Sequence, residues 1–497
     1  GTLFPYTTLF RSFLAQNIGS GGCDYSHLNR CFVRGKPSRY ICQYNRQPQR
    51  RLLASILPVL LARQYQRRMA LKLAHIGPVY LRVYAWLTGL VLGAVDAVAA
   101  VYVLAHPQWL GHMVACLCLS GILAVLVTPR LAVVTGRRPI NFAASLFMLA
   151  GACISMVDAH VAHLIAFALM GLGYGMSWAN FPFSVHELSL RGHRRLTPQV
   201  TAIIGIGAGL GIAVAWAGWL FTGSYSPTFA LVVLAVLSAG LLLLVATLPE
   251  SPVWYALKGR DEQAFAALKA LHGPLEAAVE LDWVRMDSQM LAEQQPLRWA
   301  DLKLPQVRSS LVTAMILLLA QESPGAVALV VLTPLALVSA GAASWAVGVF
   351  ALGLALISAV AWVIVTRSWG QRYLRVLFGC IILVLASMTA LATLPKLGLD
   401  AWGGLLLIIL VSASLAVQRW LIYPACHGAI DTRVPPWLVN WQRAQSALAN
   451  ALARFVVLGV AALAVEFSFR SLLMALFVFY LWVFMLVMVR MPRELRM

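Results

Sequence analysis

The chain has 497 residues, of which 61% are hydrophobic and only 11% are charged, whereas soluble domains contain roughly 45–50% apolar and about 25% charged residues. This composition excludes a soluble globular domain and indicates an integral membrane protein. The formal net charge of +20 would favour nucleic-acid binding in a soluble chain. Residues 1–68, however, hold 11 of the 38 Lys and Arg residues and only 1 of the 18 acids, and we expect no nucleic-acid partner.

The N-terminal residues match no targeting signal, because they lack a basic start and a small-residue cleavage site. Residues 2–12, TLFPYTTLFRS, instead resemble the translation of a common short-read sequencing adapter. We therefore interpret residues 1–12 as an artefact of the sequence. Residues 13–82 are interpreted as a doubtful or disordered basic leader on the cytoplasmic side, with Met69 as a plausible start of the natural protein.

From residue 83 onward, the chain contains apolar runs long enough to cross a bilayer, whose core of about 30 Å requires roughly 20 residues per helix. The runs lie at 83–104, 110–128, 140–158, 163–183, 200–222, 228–248, 309–337, 343–365, 374–394, 402–424, 446–466 and 471–489. They predict an all-α membrane protein with twelve transmembrane helices. The predicted domains are two pseudo-symmetric six-helix bundles (83–248 and 309–489), a central cytoplasmic loop with short helices (249–308) and a cytoplasmic tail (490–497).

The distribution of basic residues predicts the orientation of these helices. Connections after the second, fourth, sixth, eighth and tenth runs are rich in Arg and Lys, whereas those on the other face contain only Lys396 and Arg470. Cytoplasmic loops carry the excess of Arg and Lys in membrane proteins. Both termini are therefore predicted to be cytoplasmic, and the alternation supports a count of twelve.

Two tight turns correspond to each other in the two predicted bundles. VTGRRP (134–139) follows the second run and TRSWGQR (366–372) follows the eighth. Gly136 and Gly370 permit the turns, and the arginines can reach helix ends and acidic partners. Internal repeats of this kind are typical of secondary transporters, although a Gly-Arg-Arg turn alone also fits an ordinary basic loop.

Three longer stretches resemble the sugar-porter type of the major facilitator superfamily. LPESPVWYALKGRDEQAFAALKALHG (248–273) is similar to the family's segment after the sixth helix. AQESPGAVALVVLTP (320–334) resembles its sugar-contact stretch on the seventh helix, and GLGYGMSWANFPFSVHEL (171–188) resembles the end of its fourth. The resemblance covers about residues 83–494 and implies a monomeric secondary transporter without a cofactor.

Two ionisable residues within apolar runs are candidates for proton coupling, since such groups are costly in a membrane and functional by default. Asp96 lies midway along the first run, close to the position at which the resemblance places a carboxylate in proton-coupled sugar porters. In those relatives an arginine on the fourth helix pairs with this carboxylate, and the corresponding position here is about Phe167. Glu322 replaces a family glutamine and precedes a Pro-Gly pair that breaks helices. Both carboxylates could instead be paired internally without a role in transport.

Polar and aromatic side chains in the same runs are substrate-binding candidates, because amides bind hydroxyl groups and aromatic rings stack on sugars. These candidates are Gln321, Trp178, Asn180, Trp216, Trp420 and Tyr423. Tryptophan is also common at membrane interfaces, which is the alternative interpretation. His160 and His163 lie by the outer edge of the third and fourth runs, where loop histidines are more often solvated than functional.

A third group of residues is predicted to act in gating at the cytoplasmic face, where opposite charges from the two halves can lock an outward-open state and release when it rocks inward. The group comprises Gly136, Arg137, Arg138, Glu187, Arg194, Glu250, Arg367, Gly370 and Arg372. Solvated charges that set topology are the alternative. The cysteines lie mostly in apolar runs, and we expect neither a disulfide nor a metal site.

Together these features predict a secondary active transporter that moves a sugar or similar small polar metabolite across a bacterial inner membrane by alternating access, coupled to protons through Asp96. The sequence contains no nucleotide-binding motif and no catalytic-triad spacing, and an enzyme is not expected. An organic-acid or drug carrier of the same fold, or a non-transporting sensor derived from it, are the alternatives.

Overall fold

The computed structural model describes residues 76–189, 196–293, 326–339 and 344–367, together with 304–305, 308–309, 312, 316, 455, 478, 481–482 and 485. All secondary structure in these residues is helical. The chain divides into two units at Arg67, and every described residue belongs to the second, residues 68–497.

Six helices form the first bundle. They are α1 (Ile76–Ala105), α2 (Leu110–Thr135), α3 (Arg137–Ile154), α4 (His160–Leu188), α5 (Leu196–Thr222) and α6 (Thr228–Thr247), with a short 3₁₀ turn (Pro107–Trp109) between α1 and α2. Three helices follow in the connecting segment: α7 (Pro252–Leu257), α8 (Asp261–His272) and α9 (Pro274–Glu293). Further along the chain lie α10 (Ala326–Ser339) and α11 (Trp345–Arg367).

Five helices in the described part are long and apolar enough to cross a membrane. They contain Val79–Ala105, Gly111–Thr135, His160–Leu188, Ile203–Thr222 and Thr228–Thr247. Helix α3 is not among them, because its 18 residues begin with two arginines. In α11 the apolar part is shorter, Trp345–Val360.

The helices differ from the predicted runs chiefly at their ends. Helix α1 begins at Ile76, before the predicted start at residue 83, and α2 continues to Thr135, past residue 128. Polar residues end an apolar run, but backbone hydrogen bonds continue the helix through them. The third run was predicted to reach residue 158, whereas α3 ends at Ile154. Most of the later predicted runs lie outside the described residues.

Helix α1 is the central element of the first bundle and packs against α5, α6 and α10, while α4 packs between α2 and α3. Glycine permits the closest approach: a Cβ atom on Gly93 of α1 would collide with the Ile204 carbonyl oxygen of α5. On the other side of the crossing, Gly211 contacts Ala97. The backbones of α1 and α5 therefore meet directly, with Asp96 beside the crossing.

The first bundle contacts later parts of the chain at several points. A Cβ atom on Gly209 of α5 would lie 2.6 Å from the Ala351 carbonyl oxygen of α11. Trp86 of α1 meets Trp362 of α11 edge to face, with 4.9 Å between ring centroids. Phe455 packs its ring against Tyr174 of α4 at 5.8 Å.

Helices α7, α8 and α9 form a small separate apolar cluster. Ser251 caps the N-terminus of α7, where its hydroxyl accepts a hydrogen bond from the Trp254 backbone N–H at 3.1 Å. Buried side chains of α8 and α9, such as Leu268 and Val284, pack together. His272 at the end of α8 donates a hydrogen bond to the Leu188 carbonyl oxygen at 2.8 Å, which joins the cluster to the end of α4.

Candidate functional site

The N-terminus of α3, at the turn after α2, has no capping side chain from its own sequence. Gly136 occupies the capping position with a φ of +97° and provides no side chain. The Glu250 carboxylate, which lies between α6 and α7, fills this role: its Oε1 accepts from the Arg137 N–H at 2.7 Å, and both oxygens accept from the Arg138 N–H at 3.1–3.2 Å. A carboxylate there also complements the positive end of the helix dipole.

Glycine is required at this turn for two reasons. A φ of +97° is unfavourable for residues with a Cβ atom, and a Cβ atom at Gly136 would collide with the Glu250 carboxylate. Glu250 itself is only 8% exposed. Its Oε1 also accepts the Ser251 backbone N–H at 2.8 Å, and the buried charge is therefore surrounded by donors.

Arg137 forms the second part of the cluster through a two-pronged ion pair with Glu187 at the end of α4. Its Nη2 lies 2.9 Å from Oε1 and its Nε lies 3.2 Å from Oε2. The two side chains are only 22% and 12% exposed, and the guanidinium also lies over the Phe183 ring at 4.9 Å. The Ser251 hydroxyl donates to Glu187 Oε2 at 2.6 Å. Such bidentate, charge-assisted pairs are stronger and more directional than ordinary hydrogen bonds.

A buried amide network supports the same turn from inside the bundle. The Asn180 amide donates to the Arg137 carbonyl oxygen and to Asn141 Oδ1, both at 2.9 Å. Asn141 in turn donates to the Ser184 hydroxyl at 2.9 Å. Asn180 was predicted to bind substrate, but its amide is committed to these protein groups, and this geometry favours a supporting role in the cluster.

Two further contacts attach the cluster to α6 and α7. The Arg138 guanidinium donates to the Ala246 carbonyl oxygen near the end of α6. The Trp254 indole N–H donates to the Val133 carbonyl oxygen near the end of α2 at 3.1 Å. We refer to the whole set as the charged cluster; it comprises Gly136, Arg137, Arg138, Asn141, Asn180, Ser184, Glu187, Glu250, Ser251 and Trp254.

The charged cluster is suited to holding helices in position. It links the α2–α3 turn to α4, α6 and α7 through charges and backbone donors. Five of the predicted gating residues meet here: Gly136, Arg137, Arg138, Glu187 and Glu250, all from the first half of the chain and not from both halves as predicted. Sequence reasoning missed Asn141, Ser184 and Ser251. Of these, only Ser251 belongs to a recognised motif, the PESP segment. Asn141 and Ser184 lie inside apolar runs, where no feature of the sequence marks them.

The remaining described candidates lie elsewhere in the bundle. Asp96 is 4% exposed in the middle of α1. Trp178 is buried in α4, with its ring nearly parallel to that of Tyr174 at 6.4 Å between centroids. Trp216 of α5 packs its indole on Gly348 of α11, and its buried Nε1 has no hydrogen-bond partner among the described residues.

Other predicted site residues are not positioned by the structure. Those outside the described residues are Arg194, Gln321, Glu322, Gly370, Arg372, Trp420 and Tyr423. Arg367 is the last residue of α11.

The structure corrects the interpretation of the histidines near the start of α4. His163 was expected to be solvated, but it is buried, because α4 begins at His160, before the predicted run. Its ring packs edge to face on Tyr102 of α1 at 5.2 Å. This end of the bundle lies opposite to the charged cluster, since α2 runs from one end to the other.

Residues 94–491 match the model of a family described as "Sugar (and other) transporter". The chain belongs to this family. Its members are transporters of the major facilitator superfamily and not enzymes, and the family match together with the apolar helices makes this chain a multi-pass membrane protein.

Individual relatives are distant. The chain is 23% identical over 360 residues to the probable metabolite transport protein CsbC of Bacillus subtilis, covering 70% of this chain and 73% of that protein. It is 26% identical over 257 residues to the arabinose-proton symporter of the same organism, covering 49% of this chain and 53% of that protein. It is 26% identical over 167 residues to member 6 of the human facilitated glucose transporters, covering 33% of this chain and 31% of that protein.

Solved structures support the same fold. The xylose transporter XylE from E. coli, in a partially occluded inward-open conformation, superimposes with a TM-score of 0.65 at 16% sequence identity, covering 84% of this chain and 98% of XylE. A structure of the proton:xylose symporter XylE bound to 6-bromo-6-deoxy-D-glucose gives a TM-score of 0.60. At these identities the similarity concerns the fold.

Proposed function

We propose that this family member moves a sugar or a similar small polar metabolite across a bacterial inner membrane by alternating access, coupled to protons through Asp96. The observation that supports this function most strongly is the family match over residues 94–491. In this proposal twelve helices form two six-helix bundles, both termini are cytoplasmic, and the charged cluster lies at the cytoplasmic face.

Alternating access requires two bundles that can rock against each other. The α5–α11 contact is the proposed pivot, because Gly209 lets the two backbones approach closely and the Trp216 indole packs on Gly348. The charged cluster is the proposed gate: its ion pair and helix cap hold α2, α4 and α6 in one arrangement and are released when these helices shift within the first bundle.

Asp96 is the proposed proton-coupling residue. A carboxylate buried in an apolar helix is stable only when it is paired or protonated. Because Asp96 lies beside the tight α1–α5 crossing, movement of α1 changes its surroundings and therefore its occupancy by a proton. Glu322 remains the second proposed proton-coupling residue.

The substrate site is proposed between the bundles. Trp216 and Trp178 provide rings for stacking, and the buried Trp216 indole N–H offers a donor to a substrate hydroxyl. Gln321, Trp420 and Tyr423 are proposed to complete the site. Val331 of α10 is buried where the sugar-porter resemblance places a tyrosine, which favours a less polar substrate and keeps an organic-acid carrier as a second candidate.

The test is uptake of a labelled panel of sugars, polyols and organic acids by cells or vesicles containing the protein, with and without a proton uncoupler. We expect uptake of one class that the uncoupler abolishes. Asp96→Asn should lose accumulation against a gradient but keep exchange across the membrane, whereas the buried control Ser238→Ala on α6 should behave as the parent. An Asp96→Asn variant that accumulates substrate normally would overturn the coupling role.

A further inference from the structure

Imidazole and aromatic rings gather at the end of the bundle opposite to the charged cluster. Trp109 in the 3₁₀ turn stacks on His106 at 4.6 Å and contacts His160 at 4.7 Å, and the His106 and His163 ring centroids are 6.2 Å apart. We call this set the histidine end; it comprises Tyr102, His106, Trp109, His112, Asp158, His160 and His163. It joins the last turns of α1 to the first turns of α4.

Hydrogen-bonding groups lie against both nitrogens of the His163 ring. The Tyr102 hydroxyl donates to the Ser155 carbonyl oxygen at 2.8 Å and also contacts the Ser155 hydroxyl. His163 Nδ1 lies 3.4 Å from the Tyr102 hydroxyl oxygen. The neutral ring can carry its hydrogen on either nitrogen, whereas the protonated ring donates from both.

The Nε2 side of the ring faces a carboxylate. His163 Nε2 lies 3.8 Å from Asp158 Oδ1, and protonation of the ring turns this contact into an ion pair. The Asp158 side chain is 99% exposed while that of His163 is 4% exposed, so that an exposed carboxylate adjoins the buried imidazole.

We propose that His163 is a proton-binding site that takes up a proton from the outer aqueous phase through Asp158. The inference rests on the proposed function for its orientation, which places the histidine end outside. His163 and Phe167, one turn apart on α4, both pack their rings on Tyr102 of α1. Protonation of His163 therefore changes the contact between α1, which carries Asp96, and α4.

The neighbouring groups limit the site to a single proton. His106, which directly follows α1, and His160 of α4 face the same space, and charging them as well would place like charges within about 6 Å of each other. His112 of α2 lies further out, with its ring 6.1 Å from that of His160. Tyr102 stays neutral at physiological pH. Asp158 is the one carboxylate near these rings within the described residues.

The first arm of the test measures proton binding directly, without transport. Histidine side chains are labelled in the purified protein in nanodiscs and titrated by NMR between pH 5 and 8, with His163 assigned as the signal that disappears in His163→Gln. We expect this signal to titrate, and the exposed control His112→Gln to leave it in place. A His163 signal that does not change over this range would overturn the proposal.

The second arm uses Asp158→Asn, whose side chain is exposed and whose replacement keeps the fold. Exposed ion pairs contribute roughly 0.2–1 kcal/mol, and we therefore expect proton affinity at His163 to fall by about threefold. The external-pH profile of uptake should shift by the same factor. If no substrate is transported, the proposed function fails, but the NMR titration still tests the proton site at His163. An unchanged proton affinity of His163 in Asp158→Asn would contradict the role of the carboxylate.

Discussion

The two ends of the first bundle are stabilised by opposite kinds of chemistry. The charged cluster joins α2, α3, α4 and α6 through full charges, with a bidentate ion pair between Arg137 and Glu187 and a carboxylate cap from Glu250. The histidine end joins α1 to α4 through stacked rings and one neutral hydroxyl, with a single exposed carboxylate. Arginine keeps its charge at all relevant pH values, whereas imidazoles change theirs between pH 5 and 8.

This difference separates the proposed tasks of the two ends. An end built from permanent charges can be opened by movement of its helices but not by ordinary changes in pH. An end built around the buried imidazole of His163 is proposed to respond to protons directly. The comparison therefore assigns mechanical gating to the charged cluster and proton sensing to the histidine end, and each of the following variants tests one side of it.

The largest effect is expected for Glu250→Ala. The substitution leaves the N–H groups of Arg137 and Arg138 without their buried acceptor, and we expect a loss of about 3 kcal/mol of stability, seen as a lower thermal midpoint in detergent, and a strong loss of uptake. Glu262→Ala, on the exposed surface of α8, is the matched control and should behave as the parent. Equal losses of stability in the two variants would show that Glu250 does not cap the N-terminus of α3.

The ion pair is tested by a double-mutant cycle of Arg137→Lys and Glu187→Gln. Lysine keeps the charge but cannot form the bidentate contact, and each single variant should cost about 2 kcal/mol because it leaves its partner partly buried and unpaired. The double variant should cost clearly less than the sum of the two, with a coupling energy of about 1 kcal/mol. Additive losses of unfolding free energy would contradict a direct pair.

Substitutions at two glycines with positive φ distinguish the cost of backbone strain from the cost of a clash with the charged cluster. Gly136→Ala introduces a Cβ atom into the Glu250 carboxylate, whereas Gly259→Ala, at a φ of +71°, meets nothing within 4 Å. We expect a cost of about 2 kcal/mol for the first and about 1 kcal/mol for the second. Thermal unfolding of both variants measures the difference. Identical midpoints would show that backbone strain accounts for the whole cost and that the clash with Glu250 contributes nothing.

The smallest effect is expected at the histidine end, with Tyr102→Phe. The variant removes the hydroxyl between the Ser155 carbonyl and His163, and a single neutral hydrogen bond contributes about 1 kcal/mol. Stability should therefore fall only slightly, while the pH dependence of uptake should change, because Nδ1 of His163 loses its acceptor. A stable variant with an unchanged pH profile would remove Tyr102 from the proton site.

The sequence predicted much of this arrangement where a residue stood in a motif. The GRR turn and the PESP segment indicated Gly136, Arg137 and Glu250 as gating candidates, because turn glycines and charges near helix ends have local signatures. Asn141 and Ser184 carried no such signature, since a polar residue in an apolar run does not reveal which helix faces it. Asn180 was predicted at the substrate for the same reason.

The burial of His163 was missed because an apolar run and a helix do not end at the same residue. The predicted run began at residue 163, which placed this histidine at a loop edge, whereas α4 starts a turn earlier at His160. Its packing against Tyr102 depends on the crossing of α1 and α4, a tertiary contact without a periodic signal. The helices themselves were predictable because length and hydropathy are local properties.

Proton coupling is the central claim, and proton flux measures it most directly. Vesicles containing the protein are placed in lightly buffered medium, and the external pH is followed when the substrate class found by the uptake panel is added. We predict alkalinisation of the medium as substrate enters, and none for Asp96→Asn. Substrate entry by the parent protein without a change in external pH would contradict the account.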